Sequence, residues 1–245
     1  MVFSLIILFS ILGSIGAIGI AAIFLLFPQK IRKVLIPCLV SYAVGTLLAG
    51  AFLGLIPNSI SRLDTTYSLL TVLFGLVGFF ILEKTMLYRH CHEQHCDKHR
   101  VAGPLIVVGD AFHNSVDGII IAVSFFVSIP FGIAASLAII AHEIPQEVAD
   151  FAVLLESGYP RKKAFLLNSI SASTAIIGAI PTFFFLTLFE TAVPYVMALS
   201  ASSFIYIGLA DLVPHLHVKT SPKNGVRQVI LILAGIGTLA LIFFT

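Results

Sequence analysis

Eight stretches of the chain, about 3–27, 34–57, 66–88, 103–128, 131–156, 162–189, 193–214 and 226–244, are predominantly apolar and about twenty residues long or more. A helix of that length crosses the hydrocarbon of a bilayer. In lipid, backbone polar groups must be satisfied within the spanning structure, which restricts such runs to helices. The expectation is an all-α polytopic membrane protein of eight transmembrane helices forming a single membrane domain over residues 1–245. Composition agrees, with only 11% of residues charged against roughly a quarter in a soluble domain. The opening MVFSLIILFS has no basic n-region, and its apolar run continues to Phe27. It therefore reads as a first spanning helix rather than a cleaved leader. Cys38 stands alone in an apolar run, and an odd total of three cysteines argues against a disulfide framework.

The charges matter by position more than by sum. A net charge of +2 gives no reason to expect a nucleic-acid partner. Lys30, Arg32 and Lys33 fall in the first loop, and Lys84, Arg89, Lys98 and Arg100 in or beside the third. Arg161, Lys162 and Lys163 fall in the fifth, and Lys219, Lys223 and Arg227 in the seventh, leaving only Arg62 for the even-numbered loops. The positive-inside rule puts the odd loops in the cytoplasm and both termini outside. The expected location is the cell (inner) membrane.

Two of the apolar runs carry polar clusters. In the fifth, AHEIPQEVAD holds Glu143, Glu147, Asp150, His142 and Gln146 around Pro145. An acid at the centre of a spanning helix costs about 2.5–3.5 kcal/mol, while each flanking aliphatic residue returns only about 0.3–0.6 kcal/mol. In the fourth, GDAFHNSVDG places Asp110, His113, Asn114 and Asp117 at i, i+3, i+4, i+7, one face of a helix. Glu143, Gln146, Glu147 and Asp150 repeat that spacing. With the connection between these helices centred on Ile129-Pro130, Asp117 meets His142 and His113 meets Gln146 at depths of roughly 18–24 Å. Imidazole and carboxylate together suit Zn²⁺ and other first-row divalent ions, with Asn114 and Gln146 as neutral helpers. Pro145 cannot donate to the Ala141 carbonyl, which frees an oxygen at the same depth. A hydrated, cation-filled path would account for the acids.

HNSVDG followed by HEIPQEVADFAVLL resembles the fourth and fifth helices of the ZIP (Zrt/Irt-like) family of divalent metal transporters. HEIPQE is similar to the HExPHE signature of the LIV-1 branch, with the closest likeness to bacterial members. YIGLADLVPHLH resembles the seventh helix of the family and SYAVGTLLAGAFLGLIP its second. The resemblance covers the whole chain and implies a ZIP-type bundle with its metal site between helices 4 and 5. It implies ligand roles for His113, Asp117, His142, Glu143 and Gln146, with Asn114 at a secondary position. Asp110, Glu147, Asp211 and His215 would belong to a secondary path. Gln146 stands where LIV-1 members have His, Gly54 and Asn58 where relatives often have His and Glu, and Ser171 where some bacterial relatives carry a bridging acid. With those departures the resemblance implies one main site. It further implies a homodimer, an elevator-like motion, and Zn²⁺ (or Fe²⁺, Mn²⁺, Cd²⁺) as transported substrate rather than cofactor.

The third loop, residues 89–100, holds His90, Cys91, His92, His95, Cys96 and His99, a metal-binding composition on the side expected to be cytoplasmic. Small-residue runs, GSIGAIG in the first helix and SISASTAIIGA in the sixth, predict close helix packing. With no GxxxxGK[ST] stretch, the driving force expected is the metal gradient, the membrane potential or coupled protons. The function expected is uptake of a divalent metal, zinc foremost, toward the cytoplasm, and not an enzyme activity. The alternative is an intramembrane zinc metalloprotease, because HEIPQ begins like HExxH. Gln146 in place of the second His and Pro145 inside the motif weigh against it.

Overall fold

The computed structural model describes residues 1–24, 26–88, 98–217 and 222–244, and every regular element among them is helical. Among these residues eight helical spans are long and apolar enough to cross a membrane. They are α1 (Val2–Ile23), α2 (Lys33–Ile60), α3 (Thr65–Leu82), α4 (Val107–Val127), α5 (Ile129–Phe151), α6 (Arg161–Leu188), α7 (Glu190–Ala210) and α8 (Asn224–Phe243). Several helices run beyond the apolar stretch that the sequence marks. The one containing α4 begins at Lys98 and the one containing α8 at Pro222. A helix closes its own backbone ladder, so it continues into polar flanks wherever no breaker stops it. The first helix is shorter than expected, ending at Phe24, and Pro28 begins the next.

The ends of α5 set the depth of everything on it. A single non-helical residue, Ser128, joins it to α4. The Ser128 hydroxyl accepts the Phe131 N–H at 3.2 Å, a side-chain cap for an orphan donor of the first turn. Ile129 and Pro130, expected as the connection, are already helical. Proline is tolerated there because first-turn N–H groups have no helical partner to lose. At the other end the helix stops at Glu156, and Gly158 takes φ 87. The Tyr159 N–H reaches the Leu154 carbonyl at 3.1 Å, a Schellman closure that needs a left-handed residue. Between these ends the helix passes through Pro145 without a break.

The spans pack as two sets of four. In one, α4 lies along α5 and α6, and α1 packs on α5 and α6; in the other, α2 lies along α8 and α3 along α7. The seam between the sets is formed by α2 on α5 and α7 on α4. Each set has a crossing at which backbones touch. A side chain at Gly118 of α4 would overlap the Ala175 carbonyl of α6, and one at Gly178 of α6 the Ser115 carbonyl of α4. Gly45 of α2 and Gly235 of α8 are closed off in the same reciprocal way by Ile232 and Tyr42. Lipid tails are as apolar as leucine, so helices associate through such close approach rather than by a hydrophobic driving force. In GSIGAIG, Gly13 lies in ordinary van der Waals range of Ile121, Ile139 and Ile140, whereas Gly19 faces open space.

Three π turns interrupt the spans: Leu12–Gly16 in α1, Gly50–Leu55 in α2 and Ile207–Leu212 in α7. At Gly54 a side chain would strike the rings of Phe131 and Phe243, and Asn58 Nδ2 donates to the Gly54 carbonyl at 2.9 Å. Between the Ser128 joint and the polar cluster, Ile120, Ile121, Ala122, Val123, Phe131, Ala134, Ala135 and Ile139 are all buried. The charged groups thus lie beneath a layer of buried, mostly apolar side chains.

Candidate metal centre

The cluster is organised about Ser128. His113 and Glu143 each stand fifteen residues from it, and Asp110 and Gln146 each eighteen. Each of these equidistant pairs meets. His113 Nε2 lies 3.3 Å from Glu143 Oε1, and Gln146 Nε2 donates to Asp110 Oδ1 at 3.4 Å. The sequence pairing of His113 with Gln146 is therefore corrected. The true joint precedes Ile129-Pro130, and the facing residue on α5 shifts by nearly a turn. Asp117 does reach His142, with Oδ2 3.2 Å from Nε2.

Around His142 three side chains converge. Its Nε2 is 3.2 Å from His113 Nε2, 3.2 Å from Asp117 Oδ2 and 3.3 Å from Glu143 Oε1. The remaining recorded edge, His113 Nε2 to Asp117 Oδ2, is 3.8 Å. His142, Glu143 and Asp117 are buried, while the His113 side chain keeps 17% of its surface exposed. His142 Nδ1 faces the Ala138 carbonyl at 3.3 Å. A carbonyl can only accept, so in the neutral ring Nδ1 carries the proton and Nε2 the lone pair. The lone pair then points at the other three ligand atoms. At most one proton fits between the two Nε2 atoms, and neither oxygen of Asp117 or Glu143 has a hydrogen-bond partner. With His142 neutral, their approaches to it are contacts between acceptors, which a cation would satisfy together.

A second group shares one member. Asp110, Glu143 and Glu147 bring one carboxylate oxygen each within 4.8 Å of the others, as do the four residues of the first group. Asp110 and Glu147 are buried, and Asp110 Oδ2 and Glu147 Oε1 accept no hydrogen bond. Asn114 Nδ2 donates to the Asp110 carboxylate at 2.9 Å and to the Asp110 carbonyl at 3.1 Å. Gln146 likewise serves Asp110. Both amides thus donate to Asp110.

Asn168 of α6 was not singled out from the sequence, yet it is buried and donates to Glu147 Oε2 at 2.7 Å. A lone asparagine among serines and leucines carries no periodic signal; only the packing of α6 against α5 brings it in. Ser171 donates to the Leu167 and Asn168 carbonyls of its own helix. His90, Cys91, His92, His95 and Cys96 lie outside the described residues, as do the side chains of His99, Asp211 and His215.

Eight apolar spans around a buried knot of carboxylates and imidazoles define a multi-pass membrane protein built to handle a cation. A model of the ZIP zinc transporter family matches residues 88–243. Zinc transporter ZIP13 of Pongo abelii is 31% identical over 258 residues, covering 95% of this chain and 77% of the relative. Zinc transporter ZIP13 of Danio rerio is 29% identical, covering 95% and 86%. Zinc transporter YKE4 of Saccharomyces cerevisiae is 28% identical, covering 89% and 75%. The chain belongs to the ZIP zinc transporter family and is a divalent metal transporter, not an enzyme. The protease alternative falls with that assignment.

Proposed function

We propose that His113, Asp117, His142 and Glu143 form the transport site for a divalent cation, with Zn²⁺ the leading substrate, carried toward the cytoplasm. The observation that carries this reading is the spacing of the ligand atoms. A tetrahedral zinc ion with bonds of about 2.0–2.1 Å separates its ligands by about 3.3 Å. Four of the five recorded separations here are 3.2–3.3 Å. Two imidazoles and two carboxylates also balance the ion's double charge in a low-dielectric setting.

Asp110, Glu143 and Glu147 then offer a second station, handed the ion through the shared Glu143, with Gln146 and Asn114 orienting Asp110. With odd-numbered loops cytoplasmic, α4 runs outward and α5 inward, so Asp110 and Glu147 lie on the cytoplasmic side of the histidines. The order of the two groups thus follows the proposed direction of uptake. Asp211, His215 and the His90–His99 loop would receive the ion beyond them. The whole chain acts as one membrane domain in the cell membrane, with no resident cofactor. The faces of α3 and α8, largely exposed, suit lipid or a second copy in a homodimer. The set α1, α4, α5 and α6 is the natural moving body against α2, α3, α7 and α8.

Uptake of Zn²⁺ into sealed vesicles, with Fe²⁺, Mn²⁺ and Cd²⁺ as competitors, tests the reading. Parent protein should accumulate zinc, and His142→Ala should not. Parental uptake by a folded His142→Ala variant would remove the site assignment. A cysteine placed at 190–193 should label from outside and one at 221–224 should not; the reverse pattern overturns the direction.

A further inference from the structure

Glu147 is held by a residue from a third helix. Asn168 of α6 sends Nδ2 to Glu147 Oε2 at 2.7 Å and to the Glu147 main-chain carbonyl at 3.3 Å. Both residues are buried, at 3% and 1% exposure. The first bond lies at the short end of the ordinary N–H···O range. It occupies Oε2 and leaves Oε1 as the oxygen of Glu147 with no hydrogen bond. Within the Asp110, Glu143, Glu147 group, Glu147 is the member that receives a hydrogen bond from α6. Asp110 is gripped by Asn114 and Gln146, and Glu143 lies against both histidines.

We infer that Asn168 is a positioning residue for metal transfer: it pins one oxygen of Glu147 so that the other is presented, already oriented, to a divalent cation shared with Asp110 and Glu143. A glutamate side chain has three torsions to freeze on binding an ion. Fixing Oε2 beforehand removes most of that freedom, which is how outer partners of ligating carboxylates raise metal affinity. The double contact, to side chain and to backbone of the same residue, also ties α6 to the turn of α5 that carries Glu147. The second station is therefore a three-helix construction, and α6 takes part in the ion path without supplying a ligand. This inference rests on the two-station reading above.

The test is zinc titration of purified full-length protein in lipid nanodiscs, with metal-free melting followed in parallel. Asn168→Ala should weaken zinc binding about 10-fold, the low end for loss of an outer partner. Asn168→Ser, which keeps a shorter donor, should fall between, and it carries the test should the alanine variant not be recovered folded. Each change is repeated beside Glu147→Ala. If Asn168 acts through Glu147, the double variant binds no more weakly than Glu147→Ala alone. Parental zinc affinity in the Asn168 variants, or a loss that adds in full to that of Glu147→Ala, overturns the inference. Asp117→Asn separates the two levels. Lost binding there with parental binding in the Asn168 variants defeats only the positioning role. Parental binding in Asp117→Asn defeats the site reading beneath it.

Discussion

In α1, α4, α5 and α6 the buried polar side chains include Asp110, Asn114, Asp117, His142, Glu143, Glu147 and Asn168; in α2, α3, α7 and α8 those among the described residues are hydroxyls alone. Both sets use the same device to bring helices together, a reciprocal glycine crossing. They differ in what the buried polar groups do. Hydroxyls satisfy themselves locally: Ser41 donates to the Pro37 carbonyl and Thr46 to that of Ala43. Ser59 links α2 to the Pro194 carbonyl of α7 at 2.8 Å and to Ser68 of α3 at 3.1 Å. Carboxylates in the first set are left with free acceptor capacity. A hydroxyl can close its own accounts inside a membrane, and an unpaired carboxylate cannot. The contrast is one of acceptor capacity: carboxylates of the first set keep buried oxygens without a hydrogen-bond partner, whereas among the described residues no buried hydroxyl of the second set does.

The sharpest way to break the contrast is to remove charge from the first set. Asp117→Asn should cut zinc affinity by more than the roughly 10–100-fold typical of losing an outer partner. The metal-free variant should melt no lower than the parent, because an acid unfavourable in lipid has gone. Zinc at a hundred times the parental Kd should stabilise the parent by about 2.7 kcal/mol and the variant hardly at all. Lower metal-free stability with unchanged zinc affinity would make the cluster a structural polar network and erase the difference between the sets.

Next in size is a change at the glycine crossings. Gly45→Val and Gly118→Val should each destabilise by about 1–3 kcal/mol or more, as overpacking does. Only Gly118→Val should also weaken zinc binding in the folded fraction, since its crossing carries the ligand helix α4. Equal effects on zinc from both would mean that the sets are not separate bodies. Thermal melting paired with zinc titration reads both quantities.

Ser59→Ala should cost about 1 kcal/mol in melting experiments and leave zinc affinity untouched; a shift in affinity would extend the metal-dependent region across the seam. The smallest effect is expected at Gln146, whose amide reaches Asp110 across 3.4 Å. Gln146→His should keep zinc binding and alter the ranking of Zn²⁺ against Cd²⁺ or Mn²⁺ in competition assays. An unchanged ranking would leave Gln146 as a holder of Asp110 only.

Much of this arrangement can be read along the chain, and the unread part has a common cause. Length and apolarity mark eight spans because hydrocarbon thickness is a local constraint on each helix. The i, i+4 spacing of His113 and Asp117 puts them on one face for the same reason. Which glycine meets which carbonyl, and that α6 delivers Asn168 to Glu147, depends on shapes matched between segments far apart in sequence. Periodicity does not encode that. The facing partner of His113 shifts by nearly a turn, while Asp117 still meets His142, because Ile129 and Pro130 belong to the first turn of α5, where proline interrupts nothing. The π turns, each containing glycine, follow no pattern of apolar residues at all.

The one-residue joint at Ser128 has a mechanical consequence. Any rotation at it would carry the ligands of α4 and α5 on two arms reaching about 17–22 Å from it. A change of about 5° between the arms moves their far ends apart by about 1.5–2 Å, close to the length of a zinc–nitrogen bond. Leverage of that kind lets an opening too small to disturb the packing near the pivot pull a coordination shell apart at its tip.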